Sequence, residues 1–184
     1  MNRRSFCQVF FLGMAGALVF EEGLFRGIIG SIKPLSGSSE EDVDKELEGA
    51  GYSFPDISEE YKQIIDDKEF SIKIFGDIGD REKIKGAFEY LKKASDINKE
   101  VFLNLDKVKT FYRKDNKKVT MVGLTNASDP SFRPRIVYCN RSLLEGASAK
   151  TVASLIYHET THISGHNDEL VPYLNELKFL LTVY

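Results

Sequence analysis

Apolar residues recur along the chain with two different periods, and these periods predict strands and helices. Residues 69–77 place apolar side chains at alternate positions, as in a strand: Phe70, Ile72 and Ile74. Residues 81–95 place them three and four positions apart, which predicts a helix with one apolar face: Ile84, Ala87, Phe88 and Leu91. Residues 97–106 fit either element. The first part of the pattern therefore predicts a strand and then a helix.

The middle of the chain predicts three more strands. Residues 107–113 and 117–124 flank an Asp-Asn turn signal at 115–116, so we expect these two strands to pair as a hairpin. The Pro, Ser and Asp content of residues 126–134 indicates a loop. The apolar run RIVYCN at 135–140 then predicts a short buried strand.

The C-terminal part of the chain predicts two helices. Residues 148–164 carry a helical pattern that Ser148 can cap and Gly165 can end. A shorter helix follows, with Pro172 in its first turn. The predicted order β-α-β-β-β-α-α indicates an α+β fold.

The N-terminus departs from this globular pattern. Arg3 and Arg4 precede an uncharged apolar run from Phe6 to Phe20, which is shorter than the roughly 20 residues that span a membrane. We interpret residues 1–30 as an export signal or a signal anchor, which predicts a periplasmic or extracellular protein. The Arg3-Arg4-Ser5-Phe6 stretch resembles the R-R-x-F core of a twin-arginine signal peptide.

The segment after the apolar run is rich in Ser, Gly and acidic residues. We interpret residues 31–61 as a solvated linker with a transient helix near 40–48. The folded unit is then predicted for residues 62–184, a length sufficient for one core.

Composition and charge exclude several classes of function. A formal net charge of −3 makes nucleic acid a poor partner, and membrane contact is expected only through the N-terminal segment. With Cys7 and Cys139 alone, the chain has neither a disulfide scaffold nor a cysteine-rich zinc module.

The histidines carry the candidate chemistry. All three lie between residues 158 and 166, and His158 and His162 project from one helix face because four residues rotate the helix by about 40° beyond one turn. Two imidazoles so placed can bind one zinc ion. Zinc lowers the pKa of bound water to about 7, and Glu159, about 100° around the helix, can accept its proton.

The stretch His158-Glu159-Thr160-Thr161-His162 resembles the H-E-x-x-H motif of the zincin metallopeptidases. The resemblance implies one Zn²⁺ per chain, with His158 and His162 as ligands and Glu159 as general base. It also implies a zincin-like fold, in which the motif helix lies under a twisted sheet beside a backing helix at 81–95. The strand at 117–124 would be the edge to which an extended substrate adds.

Three carboxylates are candidates for the third ligand. Glu169 ranks first because it opens the return segment after the turn, where it can face the two histidines; this is a gluzincin-like arrangement. Asp168 follows Gly165 with the spacing of the metzincin pattern, although the last methionine, Met121, leaves no downstream methionine turn. Glu176 ranks third. A carboxylate that does not bind the metal can orient a ligand imidazole.

Two further side chains lie close to the motif in sequence. His166 is interpreted as a turn residue or a hydrogen-bond donor behind a ligand, with contact to the metal or transition state as the alternative. Tyr173 either aims its phenol at the oxyanion or packs in the core.

These residues predict an exported zinc metallopeptidase that acts on a peptide or protein substrate. The alternative is a zincin module with weak or no catalysis that binds a partner or regulates it. Glu159 favours the enzyme, because a purely structural zinc site needs no carboxylate between its ligands.

Overall fold

The computed structural model of the chain describes five stretches: residues 38–94, 98–114, 123–127, 129–166 and 169–182. The predicted export signal at 1–30, the turn at 115–116 and Asp168 lie outside the described residues. None of the described helices is long and apolar enough to cross a membrane.

A six-stranded mixed sheet forms the centre of the fold. Its strands are β1 Tyr52–Ser53, β2 Ser58–Ile65, β3 Lys68–Phe75, β4 Lys107–Arg113, β5 Gly123–Thr125 and β6 Ile136–Asn140. The order is β2-β3-β4-β6-β5, and β1 pairs with β4. The parallel strands β3, β4 and β6 are flanked by antiparallel β2 and β5, one at each edge.

Six helices lie in the described part of the chain: α1 Glu40–Gly49, α2 Ile78–Lys93, α3 Asn98–Asn104, α4 Arg141–Gly146, α5 Ala149–Ile163 and α6 Leu170–Thr182. The helices α2 and α3 provide the crossover that the parallel pair β3 and β4 requires. The predicted apolar face of α2 is buried, and α2 packs against α5. Helices and a mixed sheet together confirm the predicted α+β class.

The motif helix α5 begins and ends where the sequence predicts. Thr151 N donates to Ser148 Oγ at 3.1 Å, and Gly165 adopts a φ of 100° just beyond the helix. All residues from Val152 to Ile163 are buried. The hydroxyls of Thr160 and Thr161 donate to carbonyls one turn earlier, at 2.6 and 2.9 Å, so these buried polar groups are satisfied within the helix.

The predicted hairpin between residues 107–113 and 117–124 is wrong for its described part; residues 115–122 lie outside the described residues. The strand β6 lies between β4 and β5, parallel to β4 and antiparallel to β5. All five residues of β6 are buried. A strand that is apolar on both faces is typical of the interior of a sheet that is covered on both faces, and this preference outweighs the pairing of strands that are adjacent in sequence.

The segment predicted as a solvated linker is partly inside the fold. Residues 31–61 include α1, β1 and the start of β2. Val43 and Leu47, four residues apart on one face of α1, are each only 1% exposed and lie in a core cluster with residues of β4 and β6. The folded unit therefore begins before the predicted residue 62.

The acidic residues of α1 explain why the sequence suggested a linker there. Lys109 Nζ on β4 lies 3.1 Å from Glu40 Oε1 and 2.5 Å from Asp44 Oδ2. Lys109 also lies over the ring of Phe54, 4.7 Å from its centroid. Two carboxylates that look solvated in the sequence are thus paired with a lysine more than sixty positions away.

A Leu47→Ala variant tests whether α1 is part of the core. Truncation of a buried leucine lowers the free energy of unfolding by about 2–5 kcal/mol, whereas the same change in a solvated linker shifts it by less than about 0.5 kcal/mol. Urea unfolding measures the difference. The control is Glu48→Ala, an exposed residue of α1; equal, small effects of both variants would contradict the docking of α1.

Candidate metal site and its surroundings

Side chains from two helices meet in one cluster, formed by His158, His162 and Glu169 and called the metal cluster below. Their ligand atoms lie within 4.8 Å of one another. Glu169 Oε2 is 3.3 Å from His158 Nε2 and 3.7 Å from His162 Nε2. Ligands bound tetrahedrally at zinc distances of about 2.0–2.1 Å are about 3.3–3.4 Å apart. The cluster is therefore compact enough to hold one metal ion.

The His162 ring is held by the turn that follows α5. Its Nδ1 lies 2.7 Å from the backbone carbonyl oxygen of His166. A carbonyl only accepts hydrogen bonds, so Nδ1 carries the proton, and in the neutral ring Nε2 then holds the lone pair that a metal ion would need. The side chain of His166 is exposed, and this residue contributes through its backbone.

The His158 ring faces a different carboxylate with its other nitrogen. Nδ1 lies 3.3 Å from Glu176 Oε2, an ion-pair distance that falls short of hydrogen-bond geometry. Ser154 Oγ lies 3.1 Å from the other oxygen of Glu176. Glu176 therefore lies behind the imidazole, on the side away from Glu169, where a carboxylate can fix ring orientation and raise ligand basicity.

The charge around the two imidazoles is strongly negative. Burial, and then the charges of Glu169 and Glu176, raise the pKa of Glu159 from 4.5 to about 7, although His158 acts in the opposite direction. Burial alone lowers the pKa of His158, but the carboxylates around it raise the pKa above 6.5. A cation at the metal cluster would stabilise the ionised carboxylates. The donor set and its charge thus both suit a divalent metal ion.

Tyr173 on α6 lies beside the metal cluster and not in the core. Its ring centroid is 4.9 Å from that of His158, with the planes at 68°, and 40% of the residue is exposed. This edge-to-face contact leaves Tyr173 at the surface next to a candidate ligand.

The edge strand β5 lies against the face of α5 that carries the histidines. A Cβ at Gly123 would approach Leu155 Cδ1 to 3.1 Å and the carbonyl oxygen of Tyr138 to 3.2 Å. Leu155 precedes His158 by three residues and so shares its helix face. Within the described part of the chain, β5 pairs only with β6, so its other edge faces away from the sheet.

The sequence predicts Glu169 ahead of Glu176 as the third member of the cluster. The structure brings Glu169 to the ε-nitrogens and Glu176 to the opposite side of one ring. The sequence motif itself does not include Ser154 and Leu155. Their spacing from His158, four and three residues, is the signal that places them on its face.

Comparison with known proteins does not extend the resemblance beyond these residues. The chain matches no protein-family model, no curated protein and no solved structure.

Proposed function

We propose that the chain is a zinc-dependent metallopeptidase that hydrolyses peptide bonds. The proposal is carried by the convergence of His158, His162 and Glu169 within 4.8 Å, beside the buried carboxylate of Glu159. His158, His162 and Glu169 would hold one zinc ion, while Glu176 and the carbonyl of His166 orient the two rings. When bound, zinc supplies a Lewis acid that lowers the pKa of water to about 7 and polarises a peptide carbonyl.

Glu159 moves the proton in the proposed reaction. Its carboxylate accepts a proton from the water that attacks the carbonyl carbon, and returns it to the amide nitrogen as the C–N bond breaks. This carboxylate lies on the same helix as the two candidate ligands and is buried away from bulk solvent, as a general base for that water would need to be. A purely structural zinc site would have no use for it.

We interpret the surroundings as a compact zincin arrangement. The helix α5 packs against α2, and the edge strand β5 lies over α5. An extended peptide would add along the outer edge of β5 by main-chain hydrogen bonds, which brings its backbone close to the histidine face. The phenol of Tyr173, beside His158, would donate to the developing oxyanion. The N-terminal segment would direct the protein out of the cytoplasm.

Zinc loading and removal test the proposal. We expect about one zinc per purified chain by elemental analysis, and peptide hydrolysis that stops with a chelator and returns with zinc. Zinc at about a thousand times its Kd should raise the free energy of unfolding by about 4 kcal/mol, seen as a higher Tm. Absence of zinc after loading would reject the metal site. Bound zinc without cleavage of a diverse peptide library would instead favour the partner-binding module.

A further inference from the structure

The helix α6 has two faces of different kinds. Its inner face packs on α5, with Pro172 and Phe179 buried and Asn175 Nδ2 donating to Thr161 Oγ1 at 3.4 Å. Its outer face carries large apolar residues at helical spacing: Leu170, Tyr173, Leu174, Leu177 and Leu181. We call this set the outer apolar face. Four of its members are 40–66% exposed, so the core does not account for it.

The outer apolar face begins at the metal cluster. Leu170 directly follows Glu169, and the ring of Tyr173 contacts that of His158 at a centroid distance of 4.9 Å. From Leu170 to Leu181 the face extends for about 17 Å at 1.5 Å per residue. A chain bound at the metal cluster would therefore meet this face immediately beside its reacting bond.

The charges near the cluster disfavour an acidic occupant. Glu169 and Glu176 lie beside the imidazoles and would repel acidic side chains. On α6 itself the only basic residue is Lys178. Helices that lie on membranes usually combine an apolar face with a lysine- and arginine-rich polar face, whereas the opposite face of α6 is packed on α5. A peptide with large apolar side chains fits these features better than a bilayer does.

We propose that the outer apolar face selects the substrate, and that the chain acts on polypeptides with leucine- or phenylalanine-rich segments next to the cleaved bond. This inference rests on the proposed peptidase function. Leu170 and Leu174 are specificity residues in it, because they lie nearest Glu169 and are 66% and 55% exposed.

Binding of matched peptides tests the inference without depending on hydrolysis. The zinc-loaded full chain with Glu159→Gln is titrated into fluorescein-labelled octapeptides whose four central residues are Leu-Leu-Phe-Leu or Ser-Asn-Ser-Asn. We expect the apolar peptide to bind about tenfold tighter or more by fluorescence anisotropy. Adding Leu170→Ser and Leu174→Ser should remove most of this difference and leave the zinc content unchanged.

The control and the opposing outcomes separate this inference from the proposed function. Ile64→Ser, an equally exposed apolar residue on the far edge strand β2, should leave peptide binding unchanged. Equal binding of both peptides would overturn the inference, even if the wild type hydrolyses peptides. So would binding to phosphatidylcholine vesicles that is lost in the double leucine variant, since the face would then serve a bilayer. The proposed function is tested separately: it fails if the loaded chain holds no zinc or if the wild type does not hydrolyse peptides.

Discussion

A Glu159→Gln variant should keep one zinc per chain and lose peptide hydrolysis by a factor of about 10²–10⁴, the usual contribution of a positioned general base. The amide has nearly the same shape as the carboxylate but cannot accept the proton of the attacking water. Glu159 is not a member of the metal cluster, so its replacement removes no ligand. Hydrolysis of a peptide library and zinc content are measured on the same preparation.

The stability of the same variant distinguishes loss of catalysis from loss of the fold. The pKa of buried Glu159 in the zinc-free chain is raised from 4.5 to about 7, so the folded state binds the proton more tightly than the unfolded state. The contribution of Glu159 to the free energy of unfolding is therefore present at low pH and is lost as the pH rises from about 4.5 to 7. Glutamine resembles the protonated form, and the zinc-free variant should be at least as stable as the wild type at pH 7.

A matched Glu→Gln change away from the site completes this test. Glu46 is an exposed residue of α1, and Glu46→Gln should hydrolyse peptides at the wild-type rate. Hydrolysis that persists in Glu159→Gln would remove Glu159 from its role as general base. An unfolded variant, or one without zinc, would point to a structural role instead.

Local signals explain how much of the fold the sequence could predict. Three features depend only on residues close together in sequence, and each is found as predicted: the alternation of β3, the apolar face of α2 and the two ends of α5. The pairing of β5 and the docking of α1 depend on residues far apart in sequence. Lys109 forms ion pairs with Glu40 and Asp44, and β6 separates β4 from β5, but no local pattern reveals either contact.

The candidate site also combines features set by local sequence with features set by distant contacts. His158, Glu159 and His162 lie on one helix, so helical geometry alone brings them together. Glu169 and Glu176 are seven residues apart, about two helical turns, and the sequence cannot decide which nitrogen of His158 each would face. That choice depends on how α6 packs on α5. The roles of these two carboxylates therefore need a separate test.

Alanine variants at the two carboxylates are expected to lower zinc affinity to different extents. Glu169→Ala removes one of the three proposed ligands, and we expect zinc affinity to fall by more than the roughly 10–100-fold that an orienting partner contributes. Glu176→Ala should fall within that range, because Glu176 lies 3.3 Å from Nδ1 of His158 and not from Nε2. Competition with a chelator of known zinc affinity measures both constants.

The order of these losses decides which carboxylate completes the site. Asp168→Ala provides the comparison for the third candidate and should bind zinc as the wild type does. If Glu176→Ala loses more affinity than Glu169→Ala, α6 must turn so that Glu176 reaches the ε-nitrogens, and Glu169 is then not a ligand. If Asp168→Ala shows the largest loss, the metzincin-like spacing from Gly165 determines the third ligand. If Glu169 is the ligand, its carboxylate joins α6 to α5 through the metal. Glu169→Ala should then also abolish most of the zinc-dependent rise in Tm, whereas Asp168→Ala should show the same rise as the wild type.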